Sequence, residues 1–364
     1  MKLKEIERFF NETASFSLQE SYDNSGLQLG DRETEIKGAL LCIDITEEVI
    51  DEAIRHGQNL VISHHPLIFR NLKSITGKDM TERSLVRAIK NDIAILSVHT
   101  NLDSVREGVN ERICDKLGLV NRKILSPLKG RLMKLVFFVP DRDAETVRQA
   151  IFKAGAGVIG KYDSCSFNMS GKGSFRAGED AEPYVGKPGE LHFEDETRVE
   201  TIFPGSIVQK VVKALLDAHP YEEVAYDLYP LANEWPEAGM GMTGDLEEPM
   251  DEHDFLNGLK RIFNAGCVRY TSLLGKKISK VAVCGGSGSF LLRDAINSGS
   301  DAFVSGDFKY HQFFEAEKRI LVADIGHYES EQFTKELFYE SLRKKFPKFA
   351  LRLSEVNTNP INYL

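Results

Sequence analysis

The stretch Asn59-Leu60-Val61-Ile62-Ser63-His64-His65-Pro66 is a short apolar run that ends in two histidines and a proline. A run of this length, bounded in this way, predicts a buried β-strand over residues 59–63. Proline cannot donate a ladder hydrogen bond, so Pro66 indicates that the strand has ended. The two histidines are therefore expected where the strand stops, at the edge where open α/β sheets bind ligands.

Similar strands alternate with helices on both sides of this stretch. Residues 38–45 and 93–98 are further apolar runs, and helical patterns cover residues 47–56, 82–90 and 109–117. This alternation predicts a parallel or mixed α/β sheet in the first part of the chain.

The end of the chain repeats this pattern. After a shift of 242 positions, five residues coincide with identical residues, and they are Cys42, Ala53, Ile54, Gly57 and Ser63. After a shift of 228 positions, His99 and Asp103 coincide with His327 and Glu331. Any two β-α-β units share apolar periodicity, so the five identities alone are weak evidence for a duplication. The two His-x-x-x-acid motifs are the stronger evidence. Together they favour a duplicated α/β core with mixed sheets.

The middle of the chain follows a different order. Strand and helix patterns alternate as β-α-β-β-α-β over residues 134–139, 144–154, 164–169, 191–203, 207–219 and 224–229. That order is typical of a ferredoxin-like α+β domain. The stretch 233–241, which contains glycine and proline, is expected to be an exit linker. We therefore predict a core domain formed by residues 1–128 and 238–364, interrupted by an inserted domain over residues 129–237. A long helix over residues 330–346 is expected near the end.

Two further motifs place imidazoles and carboxylates at strand ends. His99 and Asp103 follow one predicted strand, and His327 and Glu331 follow another. Residues four apart share a helix face, so His327 and Glu331 should project together while Glu329 points away. Alone, Asp103 fits a helix cap or turn, and Glu329 fits an acidic first turn that complements the helix dipole. A lone histidine at a strand end favours a surface imidazole, whereas the adjacent pair favours a metal.

The predicted metal ligands are His64, His65, Asp103, His327 and Glu331. Three imidazoles and two carboxylates suit Zn, Fe, Mn or Ni better than Ca or Mg. Five donors exceed what one catalytic ion usually takes from a protein, so two divalent ions per chain are expected. His99 and Asp307 are unclaimed polar residues at the same edge and are candidates for proton transfer. Asp307 also suits a metal ligand, a residue that orients a ligand, or a structural turn.

Composition narrows the classes of function. The chain has 46 Lys and Arg residues against 55 Asp and Glu residues, a formal net charge of −9, which argues against broad nucleic-acid binding. No apolar run approaches the ~18–20 residues of a membrane span. The five cysteines are scattered without a C-x-x-C pair, which argues against a disulfide framework or a thiolate zinc site. A cytoplasmic location is expected.

These motifs together resemble the Nif-three-like family, whose members are known as GTP cyclohydrolase I type 2 homologues. The resemblance covers essentially the whole chain and rests on Tyr22-Asp23-Asn24-Ser25-Gly26-Leu27, Ser63-His64-His65-Pro66, His99-Thr100-Asn101-Leu102-Asp103, Ser305-Gly306-Asp307 and Gly326-His327-Tyr328-Glu329-Ser330-Glu331. The family often has Trp where this chain has Tyr22. The resemblance implies a dinuclear metal centre held by His64, His65, Asp103, His327 and Glu331. It also implies a PII/CutA-like insert, as in the longer bacterial members, and assembly into a toroidal homohexamer.

Three functions are compatible with these features. The first is a metal-dependent hydrolase that acts on a nucleotide or related heterocycle, in which two ions would lower the pKa of water. The second is a non-enzymatic metal-handling or regulatory protein whose insert senses a ligand. The third is a toroidal nucleic-acid-associated protein, against which the net charge counts. We rank the hydrolase first.

Overall fold

The structure is a computed structural model that describes residues 1–364. The chain divides into two compact units, one formed by Met1–Ser126 with Ala238–Leu364 and the other by Pro127–Glu237. None of the helices combines the length and the apolar character that a membrane span requires.

The strands and helices alternate along most of the chain. The strands are Gly26–Leu29 (β1), Gly38–Cys42 (β2), Leu60–Ser63 (β3), Ala94–Ser97 (β4), Val120–Lys129 (β5), Leu132–Pro140 (β6), Phe167–Arg176 (β7), Leu191–Pro204 (β8), Tyr226–Leu231 (β9), Glu234–Met250 (β10), Arg269–Tyr270 (β11), Ile278–Ser287 (β12), Ala302–Gly306 (β13), Leu321–Asp324 (β14) and Ala350–Leu353 (β15). The α-helices are Leu3–Thr13 (α1), Glu47–Arg55 (α2), Met80–Lys90 (α3), Thr100–Asp103 (α4), Val109–Leu117 (α5), Ala144–Lys153 (α6), Val208–Ala218 (α7), Glu252–Ile262 (α8), Leu292–Asn297 (α9), His327–Glu331 (α10) and Thr334–Lys345 (α11).

The first unit contains two mixed sheets that share one pattern. In the first sheet the order is β1-β4-β3-β2-β15, and in the second it is β11-β14-β13-β12-β10-β5. In each sheet three consecutive strands are parallel, β2-β3-β4 and β12-β13-β14. In each, a short strand pairs antiparallel with the last of the three, β1 with β4 and β11 with β14. The unit is therefore a mixed α/β structure in which a four-stranded arrangement occurs twice.

A single apolar core joins these two sheets. Leu41 and Ile62 of the first sheet belong to the same buried cluster as Val283 and Val304 of the second. Helices α1, α5, α8 and α11 contribute apolar side chains to this cluster, each from one amphipathic face. Burial of each such side chain contributes roughly 1.5–3 kcal/mol, so the core fixes how the strand ends of the two sheets approach each other.

The second unit follows the order β6-α6-β7-β8-α7-β9. Its four strands form one sheet in the order β7-β8-β6-β9, and all three pairings are antiparallel. Phe137 and Val199 pack with α6 and α7 in a core of its own. Residues that alternate with them along β6 and β8 lie on the opposite face of the sheet.

The structure corrects three expectations. Residues 233–241 are not a linker, because most of them belong to the long strand β10, which lies between β5 and β12 in the second sheet, and this sheet pairing overrides the local glycine and proline signal. The strand expected over residues 164–169 begins and ends later, since β7 continues to Arg176 along β8. The expected helix over 330–346 is divided into α10 and α11.

Candidate metal centre

The ends of three strands bring the predicted ligands together. His64 and His65 follow β3, His99 follows β4, and His327 follows β14 after Ile325 and Gly326. Short helices begin at two of these ends, so α4 presents Asp103 and α10 presents Glu331. The rings of His65 and His327 lie 5.2 Å apart, and the rings of His64 and His65 lie 4.9 Å apart. Residues from both ends of the sequence therefore share one site.

Each imidazole is held by a hydrogen bond at Nδ1. The partners are Val98 O for His64 at 3.0 Å, Asp44 Oδ1 for His65, Asp23 Oδ1 for His99 and Asp307 Oδ2 for His327, the last three at 2.7 Å. A carbonyl oxygen only accepts, so Nδ1 of His64 donates and Nε2 is left with a free lone pair. A metal-binding histidine commonly has its second nitrogen fixed in this way.

The Glu331 carboxylate lies among the Nε2 atoms of three histidines. Its Oε2 is 3.0 Å from His65 Nε2 and 3.1 Å from His327 Nε2, and its Oε1 is 3.6 Å from His64 Nε2. Asp103 Oδ1 lies 3.7 Å from the same nitrogen of His64. The donor atoms thus form two groups that share one carboxylate, His65 with His327 and Glu331, and His64 with Asp103 and Glu331.

Burial and mutual charge shift the pKa values of these groups. Burial disfavours the charged form of His65, but Asp44 and Glu331 outweigh it and raise the pKa of His65 to about 10. Burial likewise opposes the charge of His327, while Glu331 and Asp307 raise its pKa to about 11. Burial and the nearby charge of Glu331 raise the pKa of Asp103 to about 7. Burial opposes ionisation of Glu331, yet the surrounding imidazoles hold its pKa well below the usual range.

Several buried nitrogen and oxygen atoms of the predicted ligands lack a hydrogen-bond partner. These atoms are His64 Nε2, Asp103 Oδ1 and Glu331 Oε2, and all three face the shared cluster. Unpaired buried polar atoms cost free energy, so three of them around one point fit a bound cation. The donor set of nitrogen and carboxylate oxygen atoms suits a transition metal or zinc.

Two glycines leave room for this cluster. Gly286 has a φ of +62°, and a Cβ at this residue would overlap Glu331 Oε1. Gly306 ends β13, and a Cβ there would lie 2.8 Å from the backbone nitrogen of His327. A side chain at either residue would displace a proposed ligand, so the ends of β12 and β13 leave room for the site.

The structure brings all five predicted ligands together and adds residues that the sequence reasoning did not single out. Asp44 and Asp23 hold two of the imidazoles, and Thr358 Oγ1 donates to Asp44 Oδ2 at 2.6 Å. Asp23 belongs to the Asp-Asn-Ser-Gly loop, where it resembled an ordinary turn residue. Asp307, a candidate for proton transfer, contacts His327. Glu329 lies apart from the cluster and accepts a hydrogen bond from Asn359 Nδ2 at 3.0 Å.

Comparison with known proteins gives matches over nearly the whole chain. The sequence profile described as Duf34/NIF3 (NGG1p interacting factor 3) matches residues 1–360. A protein named GTP cyclohydrolase 1 type 2 homolog from Halalkalibacterium halodurans is 40% identical over 363 residues, which cover 98% of this chain and 97% of that protein. A protein of the same name from Bacillus subtilis is 38% identical, with 94% of this chain and 93% of that protein covered.

A crystal structure shows the same relationship in three dimensions. A Bacillus cereus protein described as related to NIF3 superposes with a TM-score of 0.87 at 37% sequence identity. The match covers 100% of this chain and 99% of that protein. The resemblance seen in the sequence motifs is thereby confirmed, and the chain belongs to the Duf34/NIF3 (NGG1p interacting factor 3) family.

Proposed function

We propose that this protein is a dinuclear metal-dependent hydrolase that acts on a nucleotide or a related heterocycle. The observation that carries the proposal is the pair of ligand groups that share the Glu331 carboxylate. The ligands in this proposal are His64, His65, Asp103, His327 and Glu331. One carboxylate between two sets of donors is suited to a pair of cations, since its negative charge offsets their mutual repulsion.

The donor chemistry favours Zn, Fe, Mn or Ni over Ca or Mg. When bound, such ions act as Lewis acids and lower the pKa of water toward neutrality. Only neutral imidazole binds metal, and without metal His65 and His327 are protonated beside Glu331. These two side chains must therefore release protons to bind the ions. Asp44 and Asp307 fix the orientation of these two rings through their Nδ1 atoms.

His99 is the candidate for proton transfer. Its ring lies 5.2 Å from the rings of both His64 and His65, at the edge of the cluster. Asp23 accepts a hydrogen bond from His99 Nδ1 at 2.7 Å and also accepts hydrogen bonds from the backbone nitrogen and hydroxyl of Thr100. A carboxylate held in this way fixes the tautomer and stabilises a transient positive charge on the imidazole. Asp307 is better suited to positioning His327.

Two exposed aromatic rings beside the cluster favour a planar substrate. Tyr22 is 62% exposed and Phe69 is 48% exposed, and their rings lie 6.4 Å apart. The ring of Phe69 lies 6.3 Å from that of His99. Exposed aromatic side chains next to a polar site typically contact a ligand, and their faces stack well on heterocycles. The name GTP cyclohydrolase 1 type 2 homolog borne by the relatives agrees with such a substrate.

The remaining structural expectations stay proposals. We infer that residues 129–237 form a ferredoxin-like domain and that residues 1–128 and 238–364 form one core domain. The strand order β7-β8-β6-β9 with both helices on one face supports the first inference. A toroidal homohexamer and a cytoplasmic location follow from the family resemblance and the scattered cysteines. Light scattering of the purified protein measures the assembly directly.

The test is turnover by the metal-loaded protein. Purified protein with measured metal content is incubated with a panel of nucleotides and heterocycles, and hydrolysis is followed by mass spectrometry. His65→Ala should abolish turnover and lower metal content, whereas His56→Ala changes an exposed histidine at the end of α2 and should affect neither. Bound metal that exchanges rapidly, with no turnover of any compound, would instead support a metal-handling protein.

A further inference from the structure

A cavity of about 670 Å³ lies within the unit Pro127–Glu237. Phe138, Glu196 and Arg198 line it, and they alternate along β6 and β8 with residues that pack against α6 and α7. The cavity therefore opens on the face of the sheet that the two helices do not cover. Its volume falls within the ~300–1,000 Å³ that is typical of small-molecule pockets.

Glu196 is a charged residue that is buried at this cavity. Its side chain belongs to a residue only 8% exposed, and it forms no ion pair. The Tyr221 hydroxyl donates to its Oε1 at 2.7 Å, and burial together with Glu196 raises the pKa of Tyr221, so the phenol remains a donor. One hydrogen bond leaves most of the acceptor capacity of a carboxylate unused. A buried carboxylate with unused acceptors indicates a ligand that donates hydrogen bonds.

Two glycines on β7 keep the space beside Glu196 open. A Cβ at Gly173 would overlap Glu196 Oε2, so this carboxylate occupies the volume that a side chain would otherwise fill. At Gly171, which pairs with Glu196 across the strands, a Cβ would have no neighbour within 4 Å. At Gly171 the strand thus presents bare backbone and free space next to the acceptor.

Aromatic side chains form the walls of the cavity. The ring of Tyr221 lies 6.0 Å from that of Phe175 and 6.3 Å from that of Tyr184, and all three line the cavity together with Phe138. Such rings bind planar ligands by stacking, which contributes about 1–3 kcal/mol per heterocyclic base. The occupant should therefore be planar and unsaturated.

Arg198 adds a donor next to the acceptor. It lies two residues from Glu196 on the same face of β8, and its Nε is buried without a hydrogen-bond partner. One terminal nitrogen pairs with Glu200 at 2.8 Å, and the guanidinium has four further N–H donors, Nε among them. A carboxylate followed by a guanidinium N–H complements a ring edge that carries an amino group, a ring N–H and a carbonyl oxygen in sequence. Arginine donating to a ring carbonyl and a carboxylate accepting from ring amino groups are both established modes of base recognition.

We propose that this cavity binds a planar 2-amino-oxo-pyrimidine ring, the chemistry shared by guanine and pterin. Glu196 accepts from the amino group and the ring N–H, Arg198 donates to the carbonyl oxygen, and Phe175 and Tyr221 contact the ring faces. Adenine matches this edge poorly, because its ring nitrogen presents a lone pair toward the carboxylate. The site lies outside the candidate metal centre and does not depend on the proposed hydrolase activity.

The test is equilibrium binding to the full-length protein by isothermal titration calorimetry. The ligands are guanosine monophosphate, pterin, inosine monophosphate and adenosine monophosphate, each titrated into metal-loaded and chelator-treated protein. We expect one ligand per chain for the first two compounds, with the tighter of the two identifying the source of the ring. Inosine lacks the amino group and should bind about tenfold more weakly, and adenosine should bind more weakly still.

Substitutions then assign the site. Glu196→Gln keeps the side-chain size but replaces one acceptor by a donor, and it should weaken binding at least about tenfold. Asp195→Asn is the matched control, since Asp195 is an exposed neighbour on β8 that does not line the cavity, and it should bind as the wild type does. Phe175→Leu should weaken binding, because Phe175 on β7 lines the cavity. Phe193→Leu should not, because Phe193 on β8 is exposed and does not line the cavity.

Three outcomes would overturn the proposal. The first is no saturable binding of guanosine monophosphate or pterin to the wild-type protein at millimolar concentration. The second is equal affinity of Glu196→Gln and Asp195→Asn with circular dichroism unchanged. The third is binding that disappears when metal is removed, which would place the ligand at the metal centre. Light scattering provides a further check. If Glu196→Gln changed the molar mass of the protein without changing its affinity for the ligands, the cavity would contact a second copy of the chain instead.

Discussion

Replacing Glu331 with Gln tests the central feature of the candidate metal centre. The substitution keeps the size of the side chain and one oxygen ligand but removes the negative charge that lies among His64, His65 and His327. We expect Glu331→Gln to lose at least one of two metal ions per chain. The fold should be largely preserved, because metal is not needed to build so large a core.

The size of the effect follows from the charges. In the proposed centre two dications are offset by the carboxylates of Glu331 and Asp103, so the substitution removes half of the compensating charge. At an effective dielectric constant of about 20, a dication and a carboxylate ~4 Å apart interact by about 8 kcal/mol. The amide of Gln retains an oxygen ligand, and water that enters the site screens the charge of the ions. We therefore expect the loss of binding free energy to be about a third of this value. A loss of roughly 2.7 kcal/mol corresponds to about a hundredfold weaker affinity.

The assay is metal content by mass spectrometry after gel filtration, together with chelator competition to obtain the affinity of each ion. Glu329→Gln is the matched control, because Glu329 is equally buried on α10 but contacts Asn359 rather than the cluster. Thermal unfolding monitored by circular dichroism checks that both variants are folded. If Glu331→Gln retained two tightly bound ions, or if Glu329→Gln lost as much metal, the reasoning would be refuted and Asp103 would become the better shared ligand.

The remaining predictions concern the support of the site. Asp44→Asn should weaken metal binding about 10–100-fold by freeing the His65 ring, whereas the exposed Asp51→Asn should not, as measured by chelator competition. Gly286→Ala should lower metal content by displacing Glu331, while Gly299→Ala, with a similar positive φ but an open environment, should lower only the melting temperature. Leu132 and Leu231 are paired across adjacent strands, so a short linker can join the chain on either side of them. Deletion of residues 132–231 with such a linker should leave the metal content per chain unchanged. Loss of all metal from a soluble variant would contradict this.

Sequence reasoning singled out the proposed ligands because they follow short apolar runs. His64 and His65 come directly after β3, and two residues separate His327 from the end of β14. Strand periodicity was therefore sufficient to locate them. The i,i+4 spacing likewise separated Glu331, which faces the cluster, from Glu329, which does not. These features depend only on local geometry.

The supporting residues depend on long-range packing and were not predicted. Asp44 and His65 are 21 residues apart, and Asp23 and His99 are 76 residues apart, so no local pattern joins them. Both aspartates lie in loops, where short polar side chains are common for reasons of turn geometry alone. The strand at 234–250 was missed for a related reason, since its pairing with β5 and β12 decides its conformation despite its glycines.

The distance in sequence between the two halves of the centre governs when it can form. His65 and His327 are 262 residues apart, and the unit Pro127–Glu237 is synthesised between them. During translation strands β1 to β4 can pair while the ribosome is still making the second sheet, whereas β15, the fifth strand of the first sheet, is made last; the histidines that follow β3 and β4 then lack Glu331. The complete ligand set exists only after α10 has left the exit tunnel. In the proposed centre, the full set of ligands is therefore available to metal only late in synthesis, and pulse labelling of the newly made protein followed by measurement of its metal content tests this order.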